Sequence, residues 1–134
     1  MKRLFLMLIL ACTAMLTATA AWAAKPMTQK NVTERGTILT EPGNYKLVND
    51  LLECPGNGVE ITGSDITLNM HGYEIACADN DLEVGGVIVY STSEAMVRNV
   101  TIKNGYVSNC RDGIVLIQTE DSKVILGQRG FSSF

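Results

Sequence analysis

An all-β solenoid, with short strands stacked into parallel sheets, is the fold class this sequence predicts. Three observations predict it. One phrase recurs from residue 58 onward: Gly58-Val59-Glu60-Ile61, Gly86-Val87-Ile88-Val89 and Gly113-Ile114-Val115-Leu116, at steps of 28 and then 27 residues. Each phrase is followed by short runs rich in Val and Ile in which apolar and polar residues alternate, as in Asp65-Ile66-Thr67-Leu68 and Asn99-Val100-Thr101-Ile102. That alternation is the period of a strand. Third, no stretch after the N-terminal segment carries apolar residues at helical spacing over three turns. Repeats of this size cannot bury an apolar side alone, and stacking them does so.

The elements follow in chain order. Residues 1–23 read as a signal peptide helix. Lys2 and Arg3 precede an aliphatic run, and Ala21-Trp22-Ala23 has the small-x-small form of a cleavage site before Ala24. Thr13, Thr17 and Thr19 dilute the apolar run below what a retained anchor needs. Residues 24–36 are polar and aperiodic, a linker or an N-terminal cap. Thr37-Ile38-Leu39 reads as a strand. Glu41-Pro42-Gly43-Asn44 is a turn, since Pro presets one dihedral and Gly or Asn accepts the positive one. Tyr45-Lys46-Leu47-Val48 reads as the next strand. Residues 91–97 are expected to form a turn. The repeat then predicts four inward columns: Val59, Val87 and Ile114; Ile61, Val89 and Leu116; Ile66, Val100 and Val124; Leu68, Ile102 and Leu126. Residues 127–134 leave the pattern and carry Phe131 and Phe134. A β-sandwich is the competing fold, and it does not require a repeat.

Charge and cysteine content narrow the partners. Without Lys2 and Arg3 the chain holds nine basic and 14 acidic side chains, a net of −5. The sequence carries no basic run, which argues against nucleic acid. No second long apolar segment follows the signal, so no membrane association is expected after cleavage. Cys54, Cys77 and Cys110 remain in an exported chain, where a disulfide is expected. Three cysteines allow three single pairings, and their spacing is not that of a zinc site.

The phrase Asp65-Ile66-Thr67-Leu68-Asn69-Met70-His71-Gly72-Tyr73-Glu74-Ile75 resembles a coil of the right-handed parallel β-helix proteins of the pectin-lyase-like superfamily. Arg98-Asn99-Val100-Thr101-Ile102-Lys103-Asn104-Gly105 with Asp112-Gly113-Ile114 repeats the idiom. The likeness covers residues 37–126 and implies a single-stranded right-handed parallel β-helix of about three to four coils. It implies no single activity, because that superfamily spans lyases, hydrolases, tailspikes and non-catalytic surface proteins. Asn57, Asn69, Asn99 and Asn104 then read as ladder and corner residues. Cys54 and Cys77 lie 23 residues apart, close to one coil. Adjacent coils stand about 4.8 Å apart, within the Cα reach of a disulfide. The expected bond is therefore Cys54–Cys77, with Cys110 free or paired with another chain.

Candidate chemistry is sparse. Asp79, Asp81 and Glu83, with Asn80, form the densest acidic cluster and are the candidates for Ca2+. The EF-hand pattern fails there, with Val84 and Tyr90 at its Gly and Glu positions, and a solvated turn explains the cluster equally. Asp65, Asp112 and Asp121 could supply a carboxylate pair for glycoside hydrolysis, yet each also opens a turn, where Asp is common for backbone reasons. The Gly-His-Gly and Arg-Ile-Lys motifs of polygalacturonases are absent around His71 and Arg98. Arg111-Asp112 is the nearest approach to the basic and acidic residues of a pectate lyase. A surface ion pair accounts for it as well.

The functional expectation is an exported module, periplasmic or extracellular and bacterial, without an evident catalytic site. It would bind a glycan or protein partner, or be a fragment of a larger β-helix protein that self-associates through an uncapped C-terminal coil. The alternative is part of a polysaccharide lyase or glycoside hydrolase acting on an acidic polysaccharide.

Overall fold

The computed structural model describes residues 23–28, 37–78 and 84–126. These hold fourteen strands and no helix. In order they are β1 (Lys25–Met27), β2 (Thr37–Leu39), β3 (Gly43–Leu47), β4 (Leu51–Cys54), β5 (Val59–Ile61), β6 (Ile66–Asn69) and β7 (Glu74–Cys77). There follow β8 (Gly85–Val89), β9 (Val97–Arg98), β10 (Val100–Lys103), β11 (Tyr106–Ser108), β12 (Asp112–Leu116), β13 (Thr119–Glu120) and β14 (Lys123–Ile125). They form four sheets, ordered β1-β3-β6-β10-β14, β12-β8-β5-β2, β11-β7-β4 and β13-β9. Every pairing is parallel.

Register aligns the recurring phrases. Val59 pairs with Val87 and Ile61 with Val89, and the next strand brings Ile114 and Leu116 to the same rows. Ile66 pairs with Val100, and Leu68 with Ile102. All of these but Ile114 and Leu116 are fully buried. Ile114 packs against the core from its margin, and Leu116, on the outermost strand of its sheet, is exposed. Two of the three recurrent glycines have a packing reason, while Gly113 faces open space. A Cβ on Gly86 would overlap the Val107 side chain and crowd the Gly113 carbonyl; one on Gly58 would overlap Ile75 and meet the Gly86 carbonyl. The sheets approach too closely there for any side chain.

Corners are made by polar residues in left-handed backbone. Asp65, Asn99 and Asp121 each have positive φ just before β6, β10 and β14, and Asn104 and Asn109 have it after β10 and β11. Asn and Asp tolerate this conformation because a short polar side chain can hydrogen-bond locally. The Asn99 amide donates to Asp65 Oδ1 at 2.9 Å, and the Asn104 amide donates to Asn69 Oδ1 at 3.3 Å.

Two expectations are corrected. Val124, not Leu126, stands beside Ile102, and no apolar side chain joins Val100; instead the Val100 N–H donates to Ser122 Oγ at 3.3 Å. The cause is loop length. Tyr90 N–H bonds the Ile61 carbonyl and Ile117 N–H the Val89 carbonyl, so these rows still match, but β9 then pairs Val97 with Thr119. Residues 91–96 leave the ladder as a serine-bonded excursion, with Ser91 Oγ donating to the Ser93 and Ala95 carbonyls. The offset of two preserves the alternation, so the periodic pattern does not betray it.

The second correction is the disulfide. Cys54 and Cys77 are register partners as expected, yet the bond joins Cys77 to Cys110 and leaves Cys54 a buried thiol. Within residues 24–36, Lys25–Met27 is an edge strand paired with β3. Residues 29–36 lie outside the described residues, as do residues 1–22, on which the signal-peptide expectation rests, and the 127–134 tail. Among the described residues no helix is long and apolar enough to cross a membrane.

Candidate functional site: an outward sheet face carrying lysines

Strand alternation sends one set of side chains from the five-stranded sheet inward and the other outward. The outward set is read directly from register. Asn44, Thr67, Thr101 and Lys123 form one row; Lys46, Asn69, Lys103 and Ile125 form the next; Pro26 lies beside Lys46. Three of these are lysines and none is a carboxylate. No ion pair engages Lys46, Lys103 or Lys123 among the described residues. Lys25 belongs to the opposite side of its strand, in register with Tyr45. It pairs with Glu41 at 3.3 Å, and that bond raises its pKa. With strands about 4.8 Å apart, Lys46 and Lys103 stand about 10 Å from each other across β6. Between them the Asn69 Oδ1 accepts from both the His71 N–H and the Asn104 amide, which fixes the amide orientation. The row is thus a polar, donor-rich surface with an ordered centre.

The four-stranded sheet is different in character. Ile38, Glu60, Ile88 and Val115 form its outward row. Glu60 is held from two sides, by the Asn57 amide at 2.7 Å and the Tyr90 hydroxyl at 2.9 Å. Asn57 Oδ1 in turn accepts from Gly85 N–H at 2.9 Å. The bond to Glu60 holds the Tyr90 hydroxyl above its ordinary pKa. This network joins loop to strand and engages both Glu60 oxygens.

The sequence candidates are dispersed. Asp65 precedes β6 in the five-stranded sheet and accepts the Asn99 amide; Asp112 opens β12 in the four-stranded sheet; Asp121 precedes β14. Asp65 and Asp112 therefore do not share a sheet. Arg111 N–H bonds the Val84 carbonyl at 3.1 Å, which serves the turn before β12. Asp79, Asp81 and Glu83 lie outside the described residues. Among the described residues no three His, Cys, Asp or Glu side chains gather as a metal site would require. The lysine face escaped the linear reading because its members come from positions 46, 103 and 123. A signal did exist at two of them: Lys46 and Lys103 alternate with the buried Tyr45 and Ile102 on their strands.

No family model, curated protein or solved structure matches the chain. The chemistry of the surface therefore carries the functional argument alone.

Proposed function

We propose that this chain is an exported right-handed parallel β-helix, of the pectin-lyase-like kind, that binds an anionic glycan through the outward face of its five-stranded sheet. The β-helix reading rests on the recurrence of sheets along the chain. Strands of the five-, four- and three-stranded sheets follow one another as β3, β5 and β4 are succeeded by β6, β8 and β7, and then β10, β12 and β11. Export fits the N-terminal signal pattern and a disulfide, which persists in oxidising compartments. A periplasmic or extracellular bacterial location follows from the same signal.

One observation carries the ligand class: three lysines and no carboxylate on a face of a chain whose net charge is −3. Asn and Thr between them supply neutral donors and acceptors suited to sugar hydroxyls. A flat, extended strip matches a linear polymer better than a compact ligand. Attraction between the lysines and glycan carboxylates acts over about 8 Å at physiological salt.

The test is binding of the purified chain to polygalacturonate and to neutral dextran by isothermal titration calorimetry. Binding to the polyanion alone, weakening as salt rises, is expected. Lys46→Glu with Lys103→Glu should weaken it by about tenfold, since two surface charge reversals are worth about 1.4 kcal/mol together. Equal affinity for dextran, or an unchanged affinity in the double variant, would overturn the reading. Release of unsaturated product during the titration would replace binding by lyase chemistry.

A further inference from the structure

The three-stranded sheet gathers three cysteines at the ends of its strands. Cys54 ends β4 and Cys77 ends β7, and they are register partners. Cys110 follows β11, which borders β7 on its other side. Its Cα lies 5.0 Å from that of Cys77, to which it is bonded. Parallel neighbours stand about 4.8 Å apart, and disulfides span Cα separations of about 4.4–6.8 Å. Cys77 is therefore within bonding reach of both neighbours. The middle position also matters for mechanism. Cys54 and Cys110 come from the strands on either side of β7, so an exchange centred on Cys77 can pass between them. The strand ends are held in this register by Ala78 N–H on the Cys54 carbonyl at 2.9 Å and by the Asn109 amide on the Cys77 carbonyl at 3.1 Å.

We propose that Cys77 is shared between two alternative disulfides, and that the buried Cys54 thiol is the internal reagent that exchanges them. The Cys54 thiolate attacks Cys77 Sγ, a Cys54–Cys77 bond forms, the Cys77–Cys110 bond breaks, and Cys110 leaves as thiolate. Cys54 gives its proton to solvent and Cys110 takes one back. One disulfide and one thiol stand on each side, so no oxidant or reductant is consumed. The exchange moves the free thiol from a site 1% exposed to half-buried Cys110, beyond the outer strand of the sheet. There it can meet a thiol or disulfide of another molecule. Burial of Cys54 makes the internal step slow, because the thiolate is the attacking species.

The experiment follows the free thiol. The oxidised full chain is incubated at mildly alkaline pH, quenched with acid, unfolded, labelled with N-ethylmaleimide and digested without reduction. At zero time the label should sit on Cys54, apart from Cys12 in the N-terminal segment. It should then migrate to Cys110, one for one, as a peptide linked through Cys54 and Cys77 appears by mass spectrometry. Cys54→Ser should hold the Cys77–Cys110 bond with no migrating label. Cys110→Ser should form Cys54–Cys77. Label that stays on Cys54 through prolonged incubation overturns the proposal. So do two free thiols besides Cys12 in an oxidised Cys110→Ser chain whose circular dichroism matches the parent. The wild-type migration decides the matter if that variant does not fold.

Discussion

Tyr90 shows how one side chain couples the surface of a sheet to its pH response. Its hydroxyl donates to Glu60, and this bond, ahead of partial burial, raises its pKa above the ordinary 10.0. A raised acid pKa means that the folded state favours the neutral phenol. The stabilisation is fully present below the unfolded value and is lost as pH rises through the folded one. Because the pair is partly solvated, its worth is under about 1 kcal/mol. Tyr90→Phe should lower the thermal midpoint slightly at neutral pH and flatten its decline above pH 10; a difference between the two chains that is the same at every pH would refute the assignment. Asn99 and Asn104 illustrate a second local rule. Their places near strand ends mark both as corner residues, and both have positive φ with side-chain amides bonded to the preceding repeat. Glu53 and Gln118 share that conformation and carry no such signal, since their identities do not favour it.

Strands and the loops between them divide the work differently. A strand such as Val100–Lys103 states which of its sides is buried, because neighbouring residues point to opposite faces and Val100 and Ile102 are the apolar ones. It does not state its partner. Whether Ile102 meets Val124 or Leu126 depends on the length of the excursion at residues 91–96. That excursion hangs from the ladder between two anchored rows, Tyr90 on the Ile61 carbonyl and Val97 on the Gln118 carbonyl. Its serines bond one another and the local backbone, and no core residue lies within it. Replacing residues 92–95 with two glycines should therefore change stability by less than about 1 kcal/mol, the size of a loop-length term. Guanidinium unfolding would check this. A loss comparable with a core deletion, about 2–5 kcal/mol, would mean that the excursion helps to fix register.

Across the molecule, the parallel ladders concentrate everything on lateral neighbours. The described core is apolar throughout, with no buried polar or charged side chain, so cohesion comes from columns of Val, Ile and Leu. The Cys77–Cys110 bond adds a covalent tie across a sequence separation of 33. Closing a loop of that length restricts the unfolded chain by about 3–4 kcal/mol. Reduction should lower the unfolding free energy by that order, measured by urea denaturation with and without dithiothreitol. A Cys54→Ser chain, which retains only the Cys77–Cys110 pairing, should show the same drop.

The strands of the repeated phrases and the inward and outward sides of each were legible in the chain, because both follow from a period of two and a repeat of 27–28 residues. The corner residues and the nearness of Cys54 to Cys77 were legible from position, while Lys25–Met27 and Val97–Arg98, outside the repeat, were not. The choice of Cys110 as the bonded partner, the two-residue shift of β14 and the assembly of Lys46, Lys103 and Lys123 on one face were not. Those depend on which strand lies beside which, and on how much chain each loop consumes. An alternating pattern is unchanged by a slip of two residues, so lateral order had to come from three-dimensional packing.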